Sequence, residues 1–369
     1  MRHFTFLSVL LALILAVLLA PLASDAVAGT ATNIGESGGA GIIEAMMMDS
    51  GPTAPAGVAE HIVGQVSASA VMLSDVPTSS WTYGCSATSA GMMFGYYDRT
   101  GYSEMYTGPT NGGVAPLSHL GQGISSPIPG SVSIIATENG FDGRAVPGHV
   151  DDYWISTSSP GPDPWESGGT EHAWEDCTAD FMGTNQWKWD GDGDGNIDYN
   201  ADGSTTLWSY NSSTKLYDYM QPAGNGLPQT ALCHGMRLFA ESQGYAVVEN
   251  YTQKTDNQYS GGFSFGDFMT EIDAGYPVMI QVTGHSMVGV GYDEAGGTVY
   301  MHDTWGDYVA EMDWGASYSG MDMRAVTVIH LEDVVTIPEP ITMLAVGLSI
   351  AGLGGYVSRR RSWHRRMTY

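Results

Sequence analysis

Basic residues are scarce in this sequence of 369 residues, which contains 13 lysines and arginines against 40 aspartates and glutamates. The formal net charge at neutral pH is −27. Because binding to nucleic acid depends on lysine and arginine contacts with phosphates, we do not expect so acidic a chain to bind it. Divalent cations are better suited as partners, and the charge favours solubility outside the cell.

Charge is absent from two long apolar runs, one near each end of the chain. The first covers residues 4–20 and is followed by Ala26-Val27-Ala28, a small-residue pattern typical of a cleavage site. Residues 1–28 are therefore predicted to be a signal peptide for export. An uncleaved transmembrane anchor is the alternative.

The second apolar run, residues 341–357, lies between Pro338-Glu339-Pro340 and a cluster of arginines. It is long enough to span a bilayer, with the arginines on the cytoplasmic side. This arrangement over residues 336–369 resembles the PEP-CTERM sorting signal. The resemblance implies processing by an exosortase-type enzyme and export to the cell envelope, cell surface or extracellular matrix of a Gram-negative bacterium. An ordinary membrane anchor is the alternative.

Cysteine is also rare, with three residues in the whole chain. In an exported protein we expect Cys177 and Cys233 to form a disulfide, which leaves Cys85 as the odd thiol. A zinc site that adds His172 and His234 to this pair is the alternative, although an adjacent Cys-His is an awkward chelating pair.

The composition divides the remaining chain into a linker and one main domain. Residues 29–70 are rich in Gly, Ala and Ser and are predicted to be a linker. Residues 71–335 are predicted to form the main domain. Within it, a segment at about 160–228 is dominated by Gly, Ser, Pro, Asp and Trp and is interpreted as a loop-rich insertion.

Alternating aspartates and glycines stand inside this insertion, in the segment WDGDGDGNIDYNADG. The spacing is that of the first half of an EF-hand calcium loop, in which oxygen ligands occupy alternate positions. Ala201 stands where an EF-hand has its bidentate Glu, so another acidic residue must complete the site. A solvated acidic turn is the alternative. The predicted calcium ligands are Asp190, Asp192, Asp194, Asn196, Asp198 and Asp202.

Cys85 stands at the predicted start of a helix, in the segment WTYGCSATSAGMMFGYYDRTG. Ala90, Met93, Phe94 and Tyr97 have the spacing of one apolar helical face, and Thr100-Gly101 is a stop signal. The unpaired N–H groups and the dipole at a helix start stabilise a thiolate. We therefore expect a depressed pKa and a nucleophilic thiol, against the alternative of a buried structural cysteine.

A histidine and an aspartate are predicted to meet across a hairpin farther along the chain. Residues 278–282, 286–292 and 298–302 are predicted strands, with a turn at Glu294-Ala295-Gly296-Gly297. His285 and Asp303 lie nine residues either side of Glu294, so antiparallel pairing brings them close together. An aspartate beside a histidine sets its tautomer, as a catalytic base requires.

These segments resemble parts of a known family of enzymes. YGCSATSAGM resembles the Cys-bearing helix start of papain-like peptidases, especially the double-glycine (bacteriocin-leader) peptidases and their secreted relatives. FGDFMTEIDAGYPVMIQV and GHSMVGVGYD are similar to the helix, strand and His strand of that group, and HDTWG to the segment with its third catalytic residue. The resemblance implies the roles of nucleophile, base and orienting residue for Cys85, His285 and Asp303.

The chain lacks the glutamine that papain-like enzymes usually carry about six residues before the cysteine. Ser79 occupies this place. In the family the glutamine contributes to the oxyanion hole, together with the N–H of the cysteine. The candidates for a replacement donor are Ser79, its neighbour Ser80 and the indole of Trp81.

Taken together, the sequence and the resemblance predict an α+β, papain-like fold in which a Cys-bearing helix packs on an antiparallel sheet. The predicted activity is hydrolysis of a peptide or protein substrate through a thioester intermediate. Two alternatives remain open. One is a non-catalytic, calcium-stabilised surface or matrix protein that retains the fold, and the other is amide chemistry such as transglutamination.

Overall fold

The computed structural model describes residues 41–51, 53–81, 84–103, 178–184, 203–219 and 230–332, single residues at 105, 114, 115 and 117, and the backbone of 32–37. Helices stand between strands along the chain, and the named strands all pair antiparallel, which agrees with the predicted α+β class. The strands are β1 (Thr32–Ser37), β2 (Gly41–Met48), β3 (Val71–Met72), β4 (Thr205–Tyr210), β5 (Leu216–Tyr217), β6 (Val247–Lys254), β7 (Val278–Val282), β8 (His285–Asp293), β9 (Thr298–His302), β10 (Ala310–Asp313), β11 (Ser317–Tyr318) and β12 (Met321–Leu331).

A nine-stranded antiparallel sheet forms the centre of the described structure. Its strand order is β10-β9-β8-β7-β12-β6-β5, while β3 pairs with β8 and β11 with β12. All five residues of β7 are buried, which explains why its apolar residues do not alternate with polar ones and Gln281 is its one polar residue. The three strands predicted around the hairpin are confirmed, with β8 beginning one residue earlier, at His285.

Helices pack on both faces of this sheet. The helices are α1 (Cys85–Arg99), α2 (Thr178–Met182), α3 (Leu232–Ser242) and α4 (Phe265–Asp273). On one face, Met93 and Phe94 of α1 share a core with Val288 and Val290 of β8. On the other face, α4 buries Phe268 and Ile272 against β7.

The Cys-bearing helix α1 is buried on all sides, not only along the predicted apolar face. Residues 85–98 are all buried, since α2 and α3 also pack against this helix. Its many small residues allow this close approach. α1 therefore holds Cys85 in a rigid position in the interior of the domain.

The segment 29–70, predicted as a linker, contains two strands of a second, smaller sheet. β2 lies between β1 and β4, and its residues 43–48 pair in register with residues 205–210. Composition did not indicate this pairing because the partner strand is far away in sequence and lies inside the segment predicted to be loop-rich.

Several predicted features lie outside the described residues. They are the signal peptide 1–28, the calcium loop 190–202, Cys177 and the C-terminal segment 336–369. Within the described ranges, no helix is both long and apolar enough to cross a membrane.

Candidate active site

Cys85 is the first residue of α1 and is completely buried. The positive φ of Gly84, 118°, directs the chain into the helix, and the Gly84 carbonyl accepts the first helical hydrogen bond from the N–H of Thr88 at 2.9 Å. Main-chain N–H groups of Ser86 and Ser286 donate to the Cys85 sulfur. The thiol therefore has the helix-start environment that the sequence predicted.

The pKa of Cys85 differs from the predicted one. Burial, together with a smaller effect of the nearby charge of Asp49, raises the pKa of the Cys85 thiol to about 11. The donors at the helix start lower this pKa, but burial has the larger effect. In the state described here, Cys85 is a thiol at neutral pH, and the expected depressed pKa was wrong for this state.

A chain of hydroxyl groups ties the cysteine helix to the histidine strand. The hydroxyls of Ser86 and Ser286 are 2.7 Å apart, and Ser286 donates to Oε1 of Gln281 at 2.6 Å. Ser89 also donates to the Ser286 carbonyl at 3.2 Å. Because Ser86 follows Cys85 and Ser286 follows His285, these contacts place the helix start beside the start of β8.

His285 is completely buried and has its two ring nitrogens in different environments. Nε2 lies 2.9 Å from the main-chain carbonyl oxygen of Asp303, so Nε2 carries the proton in the neutral ring. Nδ1 has no hydrogen-bond partner among the described residues. Burial lowers the pKa of His285 to about 3. The ring is therefore neutral at physiological pH and has a free lone pair on Nδ1, as a general base requires.

The indole of Trp305 determines the plane of the His285 ring. The two rings are stacked with centroids 3.9 Å apart and an interplanar angle of 5°. The indole nitrogen donates to the Gly51 carbonyl at 3.0 Å, which holds the indole in place. Trp305 is thus a positioning residue for His285. It was present in the quoted HDTWG segment, but sequence reasoning assigned it no role.

Asp303 meets His285 through its main chain, while its carboxylate has other partners. The carboxylate accepts hydrogen bonds from Tyr318 at 2.6 Å, Tyr308 at 2.9 Å and the Trp305 N–H at 3.0 Å. Burial raises the pKa of this carboxyl group. Hairpin pairing correctly predicted the proximity of Asp303 to His285, but no sequence signal indicated the two tyrosines.

Ser79 and Trp81, the candidate oxyanion donors, both have acceptors in this structure. The Ser79 hydroxyl donates to the Ser80 carbonyl at 3.2 Å. The Trp81 indole N–H donates to the Ser50 carbonyl at 2.6 Å. Each would have to release its acceptor before it could donate to a substrate.

Cys233 is a buried free thiol that donates to Oδ1 of Asn250 at 3.2 Å. Its neighbour His234 contacts Asp218 instead, at 2.8 Å. Because the Cys233 thiol is free, it does not form the predicted disulfide with Cys177 in this structure. Cys177 itself lies outside the described residues. In the part of the chain that the structure describes, no cluster of His, Cys, Asp or Glu is suited to hold a metal.

The Peptidase_C39 like family model matches residues 203–322, about a third of the chain. The match includes His285 and Asp303 but begins only after Cys85 in the sequence. Neither the curated proteins nor the solved structures contain a match. Residues 203–322 are thus similar to a peptidase family of the cysteine type, which acts on peptide or protein substrates.

Proposed function

We propose that this chain is an exported cysteine peptidase with a papain-like fold, in which Cys85, His285 and Asp303 act together. The observation that carries the proposal is the unpartnered Nδ1 of the buried, neutral His285. Ser286, which follows His285, is hydrogen-bonded to Ser86, which follows Cys85. The family match over residues 203–322 supports the same reaction class.

The proposed reaction begins when Nδ1 of His285 takes the thiol proton of Cys85. The sulfur attacks the carbonyl carbon of the scissile amide, and the imidazolium returns the proton to the leaving amine. Water then attacks the thioester carbonyl while His285 takes a proton from it, the C–S bond breaks, and the imidazolium gives the proton to the departing sulfur. These steps release a carboxylic acid and an amine and regenerate the enzyme.

Asp303 supports this cycle through its main-chain carbonyl, which keeps the proton of His285 on Nε2 and leaves Nδ1 as the base. The first oxyanion donor is the N–H of Cys85 at the helix start. Ser79 and Trp81 stay the candidates for the second donor.

The test is to incubate the purified protein with a mixture of unstructured peptides. We expect the peptides to be hydrolysed, and we expect iodoacetamide to abolish this hydrolysis. Hydrolysis that survives complete alkylation of Cys85 would contradict the proposal.

A second candidate function is a non-catalytic surface or matrix protein, favoured by the complete burial of Cys85 and His285. A chain in which Cys85 is accessible but no peptide is cleaved would support that candidate.

We expect Asp303→Asn to lower kcat by no more than about tenfold, because the main-chain carbonyl that holds His285 remains. Asp303→Ala should lower the free energy of unfolding by about 2–4 kcal/mol, since it removes the acceptor of two tyrosine hydroxyls and one N–H. Urea unfolding and steady-state kinetics of both variants measure these effects. A loss of about 10⁴-fold in Asp303→Asn would instead indicate that the carboxylate controls the tautomer of His285.

We further propose that Asp190, Asp192, Asp194, Asn196, Asp198 and Asp202 bind one structural calcium ion. Several carboxylates in one short loop repel each other without a cation, so Ca²⁺ should raise the melting temperature and EDTA should lower it. Thermal melts of the wild type and of Asp192→Ala measure this. Equal midpoints with calcium and with EDTA in the wild type would favour the acidic-turn alternative.

Export and processing are part of the same proposal. The predicted signal peptide, the PEP-CTERM-like tail with its apolar segment 341–357, and the acidic composition support a location in the envelope, on the surface or in the matrix of a Gram-negative bacterium. An exosortase-type enzyme is the proposed processing partner, and the tail is the proposed membrane contact before processing.

A further inference from the structure

Three residues that follow β2 cross the candidate active site. We call this segment, Asp49–Gly51, the strap. The N–H groups of Asp49 and Ser50 both donate to the Gly284 carbonyl at 3.0 Å, and the Ser50 hydroxyl donates to the same oxygen at 2.8 Å. On the other side, the carbonyls of Ser50 and Gly51 accept from the indoles of Trp81 and Trp305.

The groups that hold the strap belong to the site itself. Gly284 directly precedes His285, Trp305 stacks on the His285 ring, and Trp81 lies just before the helix of Cys85. In four of the five hydrogen bonds, the strap contributes a main-chain N–H or carbonyl group. In the fifth it contributes the Ser50 hydroxyl. Because every extended peptide offers the same N–H and carbonyl groups, these partners can bind a peptide irrespective of its side chains.

With the strap in place, the site is inaccessible. Cys85 and His285 are both 0 % exposed, whereas Asp49 at the outer side of the strap is exposed. An exposed residue of the strap thus lies close to a buried nucleophile. The charge of Asp49 is close enough to disfavour the thiolate of Cys85.

The chain before the strap is firmly attached to the domain. β2 pairs with β4 up to Met48, which is completely buried. The five hydrogen bonds of the strap to Gly284, Trp81 and Trp305 are what oppose its movement away from the site.

We propose that the strap occupies the groove in which the main chain of a peptide substrate binds, so that the chain is self-inhibited until the strap leaves. The Gly284 carbonyl then accepts hydrogen bonds from the main chain of the substrate. The indole N–H groups of Trp81 and Trp305 donate to the same main chain. The vacated Trp81 N–H also becomes available as an oxyanion donor. This inference rests on the proposed peptidase function.

The test is the rate at which iodoacetamide alkylates Cys85 in the full chain at neutral pH, followed by mass spectrometry. Ser50→Pro removes two donors to Gly284, and we expect it to raise this rate at least about tenfold. Ser50→Ala removes only the hydroxyl and should raise it about threefold. Cys233 is the internal control, because this buried thiol takes no part in the hydrogen bonds of the strap and should stay unlabelled unless the domain unfolds.

Alkylation of Cys85 at the wild-type rate in both variants would overturn the proposal. If Cys233 is alkylated as fast as Cys85 in Ser50→Pro, this substitution has unfolded the domain. The alkylation rate of Cys85 in Ser50→Ala then tests the proposal. Peptide hydrolysis in the same samples separates this inference from the proposed function. Faster alkylation without any hydrolysis would confirm the strap and refute the peptidase, whereas equal hydrolysis by the wild type and Ser50→Pro would refute the strap alone.

Discussion

Replacing Cys85 with alanine is expected to lower kcat/KM for peptide hydrolysis by at least about 10⁴-fold, because it removes the proposed nucleophile that forms the thioester. His285→Ala should have an effect of similar size, since the thiol, whose pKa is raised to about 11, then has no base to take its proton. The double variant should be hardly worse than either single variant, as is typical of residues that act in one step.

The matched control is Cys233→Ser, which changes the other buried thiol of the described structure and keeps a donor for Asn250. It should retain wild-type turnover. Thermal melts of all variants exclude unfolding as the cause of a lost activity. Residual hydrolysis within about tenfold of the wild type in Cys85→Ala would show that another nucleophile acts, and the proposed mechanism would then be wrong.

Gly84→Ala is expected to destabilise the domain by about 4 kcal/mol and to displace Cys85. A Cβ at Gly84 would lie 2.1 Å from the main-chain carbonyl oxygen of Gly203, a contact that only backbone movement can relieve. Gly84 also has a φ of 118°, a conformation that L side chains rarely adopt. Urea unfolding gives the loss of stability, and the alkylation rate of Cys85 reports its displacement.

Gly101→Ala is the matched control, since this glycine at the other end of α1 has a similar φ of 132° but no atom within 4 Å of its Cβ position. It should cost only the backbone strain, about 1–2 kcal/mol. The difference between the two variants therefore isolates the contact with Gly203. Equal losses would mean that the close approach of the two chain segments is unimportant for the position of Cys85.

Short-range patterns in the sequence were sufficient for the main elements of the site. The helix that begins at Cys85 has a local apolar period and a local stop signal, and the structure confirms it as α1. The strands β7, β8 and β9 are also confirmed, and the proximity of His285 to Asp303 followed from their symmetric distance to one turn. Such features depend on neighbouring residues, so periodicity and turn chemistry determine them.

Only the tertiary structure decided how these groups are connected and covered. Burial by distant segments reverses the expected pKa of Cys85, because removal from water disfavours a thiolate more than the helix start stabilises it. Tyr308 and Tyr318 donate hydrogen bonds to the Asp303 carboxylate. His285 is held instead by the Asp303 main-chain carbonyl, a group that any residue would provide.

The strap is the clearest example of this limit. Its own residues, Asp49 to Gly51, have no pattern that indicates a partner, and composition predicted a linker. Its position results from the pairing of β2 with a strand more than a hundred residues later and from indoles on two other segments. The sequence by itself therefore determined which residues are suited to react, while packing between distant segments determined that they are buried and that the strap is bonded to their neighbours.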